Sequence, residues 1–359
     1  MEKTDIKNLS KPELGEALKD MSAEPYRVKQ IFRWLYKAGM RPFDPSTGSG
    51  SNPELIKGFD EMTDMPEELR RKMKNKFHIT HPVMLDSKRS AIDGTTKYLL
   101  KMEDAGTIET VFLPEKNRAT ICLSTQVGCK FACSFCASAP FGFVRNLKAS
   151  EILDEVLFVK SKNPSVPITN LVFMGIGEPF DNYDNVLKAI RVLNDPDAFN
   201  IGARKITIST CGIIPGIRKL EKEGLQVELS VSLHSADDDI RSKLVPINKR
   251  YPIKDLINSC REYTQNTNRI ITFEYILIKD ANASRQDAVK LARLLTGLKC
   301  RVNTITCNNI RVKECSGPTP ADVKAFLKIL KESGINVTHR RTKGEDIDAG
   351  CGQLRIARL

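Results

Sequence analysis

Residues 118–136, RATICLSTQVGCKFACSFC, join an apolar, β-branched run to three closely spaced cysteines. The run at 120–125 reads as a strand. Cys129, Cys133 and Cys136 follow it on one short loop with the spacing C-x3-C-x2-C. Downstream, strand-like runs at 168–174, 205–210, 227–233, 270–278 and 301–306 alternate with helical patterns. These lie at 150–162, 182–194, 215–223, 252–267 and 284–298. A helix at 319–333 leads to a last strand at 337–341. Counting 120–125 as first, this makes six β/α units, hence a parallel sheet, doubly wound or curled into a barrel. In barrels chemistry sits at the C-terminal ends of the strands. The cysteine loop and the motifs below fall at those ends, so a partial (β/α)6 barrel with a single site is expected.

Upstream the pattern differs. Residues 1 to about 90 read as helical and charged. At 24–40, Val28, Ile31, Phe32, Leu35 and Tyr36 recur at helical spacing, interleaved with Arg27, Lys29, Arg33 and Lys37. A second short basic helix is expected at 66–77. Between them, DPSTGSGSNP (44–53) reads as a flexible loop. The expected organisation is a small N-terminal helical accessory domain over 1–92 and a catalytic barrel over 93–359. The basic faces read as solvated helix surface or as an RNA-contacting module.

The chain has 359 residues, with 41% hydrophobic and 28% charged, which excludes disordered and low-complexity classes. No apolar run is long enough to span a membrane and the start has no signal-peptide core, so a cytoplasmic protein is expected. Lys and Arg number 56 against 44 Asp and Glu, a net charge of +12 that hints at a polyanionic partner. Residues 1–90 carry 17 basic and 14 acidic side chains, so the excess does not single out the N-terminal module.

Ten cysteines in a reducing compartment point to metal or catalysis rather than a disulfide framework. Three thiolates on one loop suit a [4Fe–4S] cluster with one open iron. Structural zinc wants four ligands, and no fourth Cys or His lies nearby in the sequence. After the next strand comes MGIGEP (174–179). Its glycines permit close backbone approach, and Gly177 and Glu178 can bind an ammonium group. Ser209, Ser232, Leu233, His234 and Asn308 stand at further strand ends on the same rim, as cofactor or substrate contacts. Near the C-terminus, GEDIDAGCGQL (344–354) sets Cys351 between glycines, accessible as a reactive thiol would be.

The cysteine loop and GIGEP resemble the radical S-adenosylmethionine superfamily. With SLHSADDDIRSKLVPINKRYPI and DIDAGCGQL, the chain resembles its RNA adenine-C2 methyltransferase family over nearly its whole length. That resemblance implies one [4Fe–4S] cluster on Cys129, Cys133 and Cys136, and two S-adenosylmethionine molecules per turnover. Phe135 matches an aromatic position near the adenine of the cofactor. The implied substrates are 23S ribosomal RNA, at a peptidyl-transferase-centre adenosine, and in many members transfer RNA, at an anticodon-loop adenosine. A flavodoxin or ferredoxin donor is implied; a monomer is the default. By resemblance Cys351 carries the methyl group, Cys122 resolves the adduct by forming a disulfide with Cys351, and Glu109 is the base. Cys211, Cys260, Cys300, Cys307 and Cys315 match no motif and are expected to be structural. The competing readings are a sister adenine-C8 methyltransferase conferring antibiotic resistance, a non-catalytic Fe–S RNA-binding factor, and a radical enzyme activating another protein. The 44–60 region is longer than the family pattern, and the tail ends eight residues after Cys351.

Overall fold

The computed structural model describes residues 3–37, 55–307 and 316–354. Asn308, Cys315 and the expected 44–53 loop lie outside them. The N-terminal module comprises β1 (Thr4–Asp5), α1 (Lys11–Lys19), α2 (Arg27–Tyr36), α3 (Glu67–Lys76) and β2 (Phe77–His78). Strands β1 and β2 pair in parallel. Helix α1, which the apolar spacing does not announce, starts at a reciprocal capping box. The Ser10 N–H donates to Glu13 Oε2 at 2.7 Å and the Glu13 N–H to Ser10 Oγ at 3.4 Å. In α2 the predicted stripe is buried through Ile31, Phe32, Leu35 and Tyr36.

The basic face of α2 has a use the sequence did not suggest. Arg33 and Lys29 reach Asp197 at 3.2 and 3.7 Å, and Lys11 reaches Asp195 at 2.6 Å and Asp197 at 2.9 Å. These cations dock the module on the catalytic unit. Beneath them Lys7, 1% exposed, binds both carboxylate oxygens of Asp154, at 2.6 and 2.7 Å. Removing one partner of such a buried pair leaves a buried charge uncompensated. Lys7→Met is therefore expected to cost about 3–5 kcal/mol, read as a lower urea midpoint at unchanged slope. A loss below about 1 kcal/mol would mean that His81, 3.5 Å from Asp154, suffices as its partner.

The catalytic unit is built on one ten-stranded sheet. Its first three strands, β3 (Val83–Arg89), β4 (Thr96–Lys101) and β5 (Thr107–Glu115), form an antiparallel meander that pairs with β6 (Arg118–Cys122). Residues 83–89 are thus strand, where the sequence reading expected helix; as an edge strand β3 is exposed along its length and shows no burial alternation. A separate hairpin, β7 (Gln126–Gly128) with β8 (Phe143–Asn146), brackets the cysteine loop. Then follow α4 (Ala149–Lys162), β9 (Asn170–Phe173), α5 (Tyr183–Asn194), β10 (Ile206–Thr210), α6 (Ile214–Lys222) and β11 (Glu228–Ser232). The series ends with α7 (Asp238–Leu244), α8 (Ile253–Thr267), β12 (Ile271–Leu277), α9 (Arg285–Leu295), β13 (Cys300–Thr306), α10 (Pro320–Glu332) and β14 (Asn336–His339).

From β6 onward every neighbouring pair is parallel, and the strand order β6-β9-β10-β11-β12-β13-β14 follows the chain without a reversal. A doubly wound sheet would reverse at a switch point. Sequential order with right-handed crossovers puts the helices on one face and leaves the other to curl inward. Among the described residues β14 and β3 have no second neighbour, so the barrel is open. Helix α4 is buried along eleven consecutive residues, Ala149 to Val159, because sheet and N-terminal module cover it from both sides. The predicted strands and helices fall within a few residues of those observed.

Candidate active site at the strand ends

The C-terminal ends of the parallel strands open into one cavity. Cys129, Cys133 and Cys136 line it with Gly175, Gly177, Glu178, Ser209, Ser232, His234, Glu274, Arg340 and Cys351. The cysteine loop is pinned at several points. The Cys129 N–H donates to the Gly142 carbonyl at 2.8 Å, Ser134 N–H to Leu244 O at 3.0 Å, and Ala137 N–H to Gly352 O at 2.7 Å. The Ser138 hydroxyl donates to Leu354 O at 2.6 Å. Two of these bonds join the loop to the segment that carries Cys351.

Among the described residues no three His, Cys, Asp or Glu groups stand close enough to ligate one metal ion. The three thiols line the cavity together. Three thiolates on one loop suit a cluster with one open iron, whereas structural zinc takes four ligands in a closed tetrahedron.

Gly175 and Gly177 let this strand end press on the segment after β6. A Cβ on Gly175 would lie 2.6 Å from Leu123 O. Gly177 has φ +104°, and a Cβ there would lie 2.7 Å from Gln126 Cβ. Glu178 is buried. Its Oε1 accepts the Phe180 N–H at 3.0 Å and its Oε2 the Cys211 N–H at 2.7 Å. Burial pushes its carboxyl pKa up against these hydrogen bonds. It is a desolvated carboxylate on a cavity wall, suited to a cation.

His234 has φ +59° and is buried against Phe135, ring centroids 4.6 Å apart and edge-on. Its Nδ1 accepts the Ile276 N–H at 3.0 Å, which leaves Nε2 as the protonated nitrogen of the neutral ring. Burial, helped by the Arg241 charge, lowers its pKa to about 3. The unfolded chain takes up this proton near pH 6.5, while the folded chain resists until near pH 3. Stability is therefore complete above pH 6.5 and falls as the pH drops toward 3, by up to about 1.4 kcal/mol per pH unit. Urea midpoints between pH 7.5 and 5 should fall less steeply for His234→Gln than for the parent. Equal slopes would refute this.

Leu233 stands apart from the other rim residues. Its side chain is in the core, its N–H donates to Glu274 O, and its carbonyl accepts from Arg241. A smaller cavity adjoins the first and shares Cys351, Arg340, Met174, Ile305 and Leu354 with it; Cys122 lies on its wall. The two thiols of the expected catalytic pair thus face one space, and both are free. Cys351 is open to solvent at the mouth. The protein mass around it still raises its thiol pKa, and Arg340 pulls it down. Cys122 is buried and pushed well up for the same reason.

Glu109 lies on neither cavity wall. It pairs with Lys97 at 3.1 Å, and Lys97 Nζ also donates to Asp348 O at 2.9 Å, three residues before Cys351. Asp93 Oδ2 accepts the Gly344 N–H at 3.1 Å and Asp346 Oδ2 the Ala91 N–H at 3.0 Å. The β3–β4 hairpin is therefore the seat of the Cys351 segment.

Sequence reasoning missed three wall residues. Cys211, expected to be structural, lines the main cavity beside Glu178; it lies two residues beyond Ser209, and the strand-end argument extended one turn further would have found it. Glu274 interrupts the apolar run of β12, and a lone carboxylate in such a run was the available signal. Arg340, 3.7 Å from Glu274, follows the last strand and had no local mark. Cys260 is buried in the core, as expected of a structural thiol.

Comparison with known proteins agrees with this geometry. The family model of the radical SAM superfamily matches residues 123–294, and that of the ribosomal RNA large subunit methyltransferase N-terminal domain matches residues 4–48. A protein of Thermoanaerobacter sp. (strain X514) named "Probable dual-specificity RNA methyltransferase RlmN" is 42% identical over 98% of this chain and 97% of its own length. One from Clostridium novyi with the same name is 40% identical over the same shares. The crystal structure of a radical SAM methyltransferase from Sphaerobacter thermophilus has a TM-score of 0.88 at 39% identity, covering 98% of this chain and 99% of that one.

Proposed function

The chain belongs to the RlmN family of dual-specificity RNA methyltransferases within the radical SAM superfamily, and on that premise we propose that it methylates C2 of adenosine in 23S ribosomal RNA and transfer RNA. The observation that carries this reading is the position of Cys351, at the junction of the cluster-side cavity and the one holding Cys122. Adenine C2 is an electron-poor carbon and no nucleophile, so polar transfer of a methyl cation is disfavoured and a radical route is needed.

Cys129, Cys133 and Cys136 would hold the cluster and leave one iron for the amino and carboxylate groups of S-adenosylmethionine. The bound cluster supplies the electron that generates the 5′-deoxyadenosyl radical from that cofactor. Glu178 offers the ammonium a desolvated carboxylate, and the ammonium relieves the unfavourable burial of that charge. Ser209, Ser232 and His234 orient the rest of the cofactor from the rim.

The Cys351 thiolate displaces S-adenosylhomocysteine from a first cofactor molecule, so its S–CH3 bond forms as the sulfonium bond breaks. That methyl group passes a hydrogen atom to the 5′-deoxyadenosyl radical, giving 5′-deoxyadenosine; its carbon then bonds C2, and the adduct's unpaired electron would be taken up by the oxidised cluster as one-electron acceptor. Glu109 is assigned the C2 proton, and Lys97 links it to the Cys351 segment. The Cys122 thiolate then attacks the Cys351 sulfur. The S–S bond forms, the S–CH2 bond breaks toward carbon, and that carbon is protonated to a methyl group. A dithiol reductant restores both thiols. The N-terminal module that precedes β3, rather than the whole of the expected 1–92, is assigned as the RNA-contacting accessory domain, since β3 belongs to the catalytic sheet; a flavodoxin or ferredoxin is assigned as the electron donor. No helix among the described residues is long and apolar enough to cross a membrane.

Mass spectrometry of nucleosides from both RNAs, after turnover with the reconstituted enzyme, tests the proposal. 2-Methyladenosine is the expected product. Only 8-methyladenosine, or no methylated adenosine, would overturn it.

A further inference from the structure

Arg241, on α7, is 0% exposed and is the largest fully buried side chain of the protein's described residues. Its guanidinium is held by four hydrogen bonds. Nε donates to Leu233 O at 3.1 Å, Nη1 to Asn248 Oδ1 at 2.7 Å, and Nη2 to Cys211 O at 2.8 Å and Ser232 O at 3.1 Å. All four acceptors are neutral, and among the described residues no carboxylate stands within ion-pair distance of it. Asp238 acts on Arg241 through its charge but makes no direct bond to it, and Asn248 bridges the two, its Nδ2 donating to Asp238 Oδ1 at 2.8 Å. Burying a guanidinium without an anion is costly, and proteins bury arginine fully only when it is paired.

The groups near enough to act electrostatically on Arg241 are the thiols of Cys211, Cys133 and Cys260 and the carboxylate of Asp238, and Cys133 is the one on the cysteine loop. Helix α7 is also a mechanical part of the cysteine loop. Its last residue, Leu244, accepts the Ser134 N–H at 3.0 Å, and Leu244 and Val245 pack with Cys133, Phe131 and Phe135. The two strand ends that Arg241 ties together, at Cys211 and at Ser232–Leu233, belong to the same cavity rim. A fixed positive charge is therefore held behind the loop where three thiolates would bring negative charge.

We propose that Arg241 is the buried counter-charge of the iron–sulfur cluster and raises its reduction potential by stabilising the more negative, reduced state. This rests on the cluster reading of Cys129, Cys133 and Cys136. Reduction adds one negative charge to an already anionic group in a site of low dielectric, where a fixed cation acts strongly. Hydrogen bonds and charge around a cluster are among the factors that set its potential. Arg241 touches no reacting atom in this scheme and is a positioning residue.

The test is a redox titration of the cluster-loaded full chain, followed by electron paramagnetic resonance, without S-adenosylmethionine. Arg241→Gln keeps amide donors for the strand-end carbonyls and removes the charge. It is expected to disfavour reduction at least tenfold, a potential lower by 59 mV for one electron. Arg241→Lys should recover most of that shift. The paired swap Asn248→Asp with Asp238→Asn sets a carboxylate on the guanidinium while keeping a donor between the two side chains, and should lower the potential in the same direction. It decides the matter if Arg241→Gln fails to hold a cluster. An unchanged potential in a charge-neutralised variant, or equal shifts for Gln and Lys, would overturn the proposal. So would a weaker affinity for S-adenosylmethionine with the potential unmoved, which would assign the charge to the cofactor carboxylate instead. Parent enzyme that binds no iron would instead sink the cluster reading itself, and iron analysis separates the two failures.

Discussion

Cys351→Ala is expected to lower methylation of RNA by at least about 10³-fold, the scale on which removing a covalent nucleophile acts. The loss should be specific to the product. The cluster ligands, Glu178 and the serine and histidine rim do not depend on this side chain, so reductive cleavage of S-adenosylmethionine to 5′-deoxyadenosine should survive. Cys122→Ala is expected to fail differently. The methylene bridge to C2 forms, nothing breaks it, and protein covalently joined to RNA accumulates. Denaturing gel electrophoresis followed by nuclease digestion would show this as a band that collapses on treatment. The geometry explains the split, since both thiols line one cavity but only Cys351 opens onto the cluster-side space as well. Full release of product by Cys122→Ala would remove its resolving role. Full methylation by Cys351→Ala would remove the carrier mechanism.

Cys133→Ala should abolish both activities. Removing one of three loop ligands takes away a bond that the fold cannot replace from the loop, so iron content and the visible absorbance of the cluster should fall together. Stability of the metal-free chain should change by less than about 1 kcal/mol, because the loop is held by backbone bonds such as Ser134 N–H to Leu244 O. Cys260→Ser is the contrasting control. It places a hydroxyl in the core, where Cys260 is buried, and should destabilise the fold while leaving the cluster in place. A Cys133→Ala chain with normal iron content would require a different ligand, and Cys211, on the same wall, would be the first to examine.

Neighbouring parts of the chain differed in how far their sequence revealed their structure. The seven parallel strands were legible because each is a short apolar run next to a helix of period 3.6, and both signals are local. β3 was not: an edge strand exposed along its length carries no burial pattern. The capped helix α1 buries only Leu14 and Leu18, too few for a periodic stripe. Charge misled about α2, whose cations read as solvated or RNA-facing. Lys29 and Arg33 instead meet Asp197, more than 150 residues away in the chain.

The amino-acid sequence by itself determined the order of strands and helices, the three-thiol loop and the GIGEP turn. Each of these lies within a few consecutive residues, where backbone periodicity and ligand spacing act directly. The open curl of the sheet decided the rest. It brings Cys351 beside Cys122, sets Arg340 near Glu274, turns Cys211 onto the cluster wall and seals Arg241 behind it. These meetings join the ends of strands far apart in the chain, and a contact between distant segments leaves no periodic trace in either one. The ten cysteines show the division: spacing singled out three as candidate cluster ligands, but only the tertiary structure revealed that Cys211 and Cys351 share their cavity.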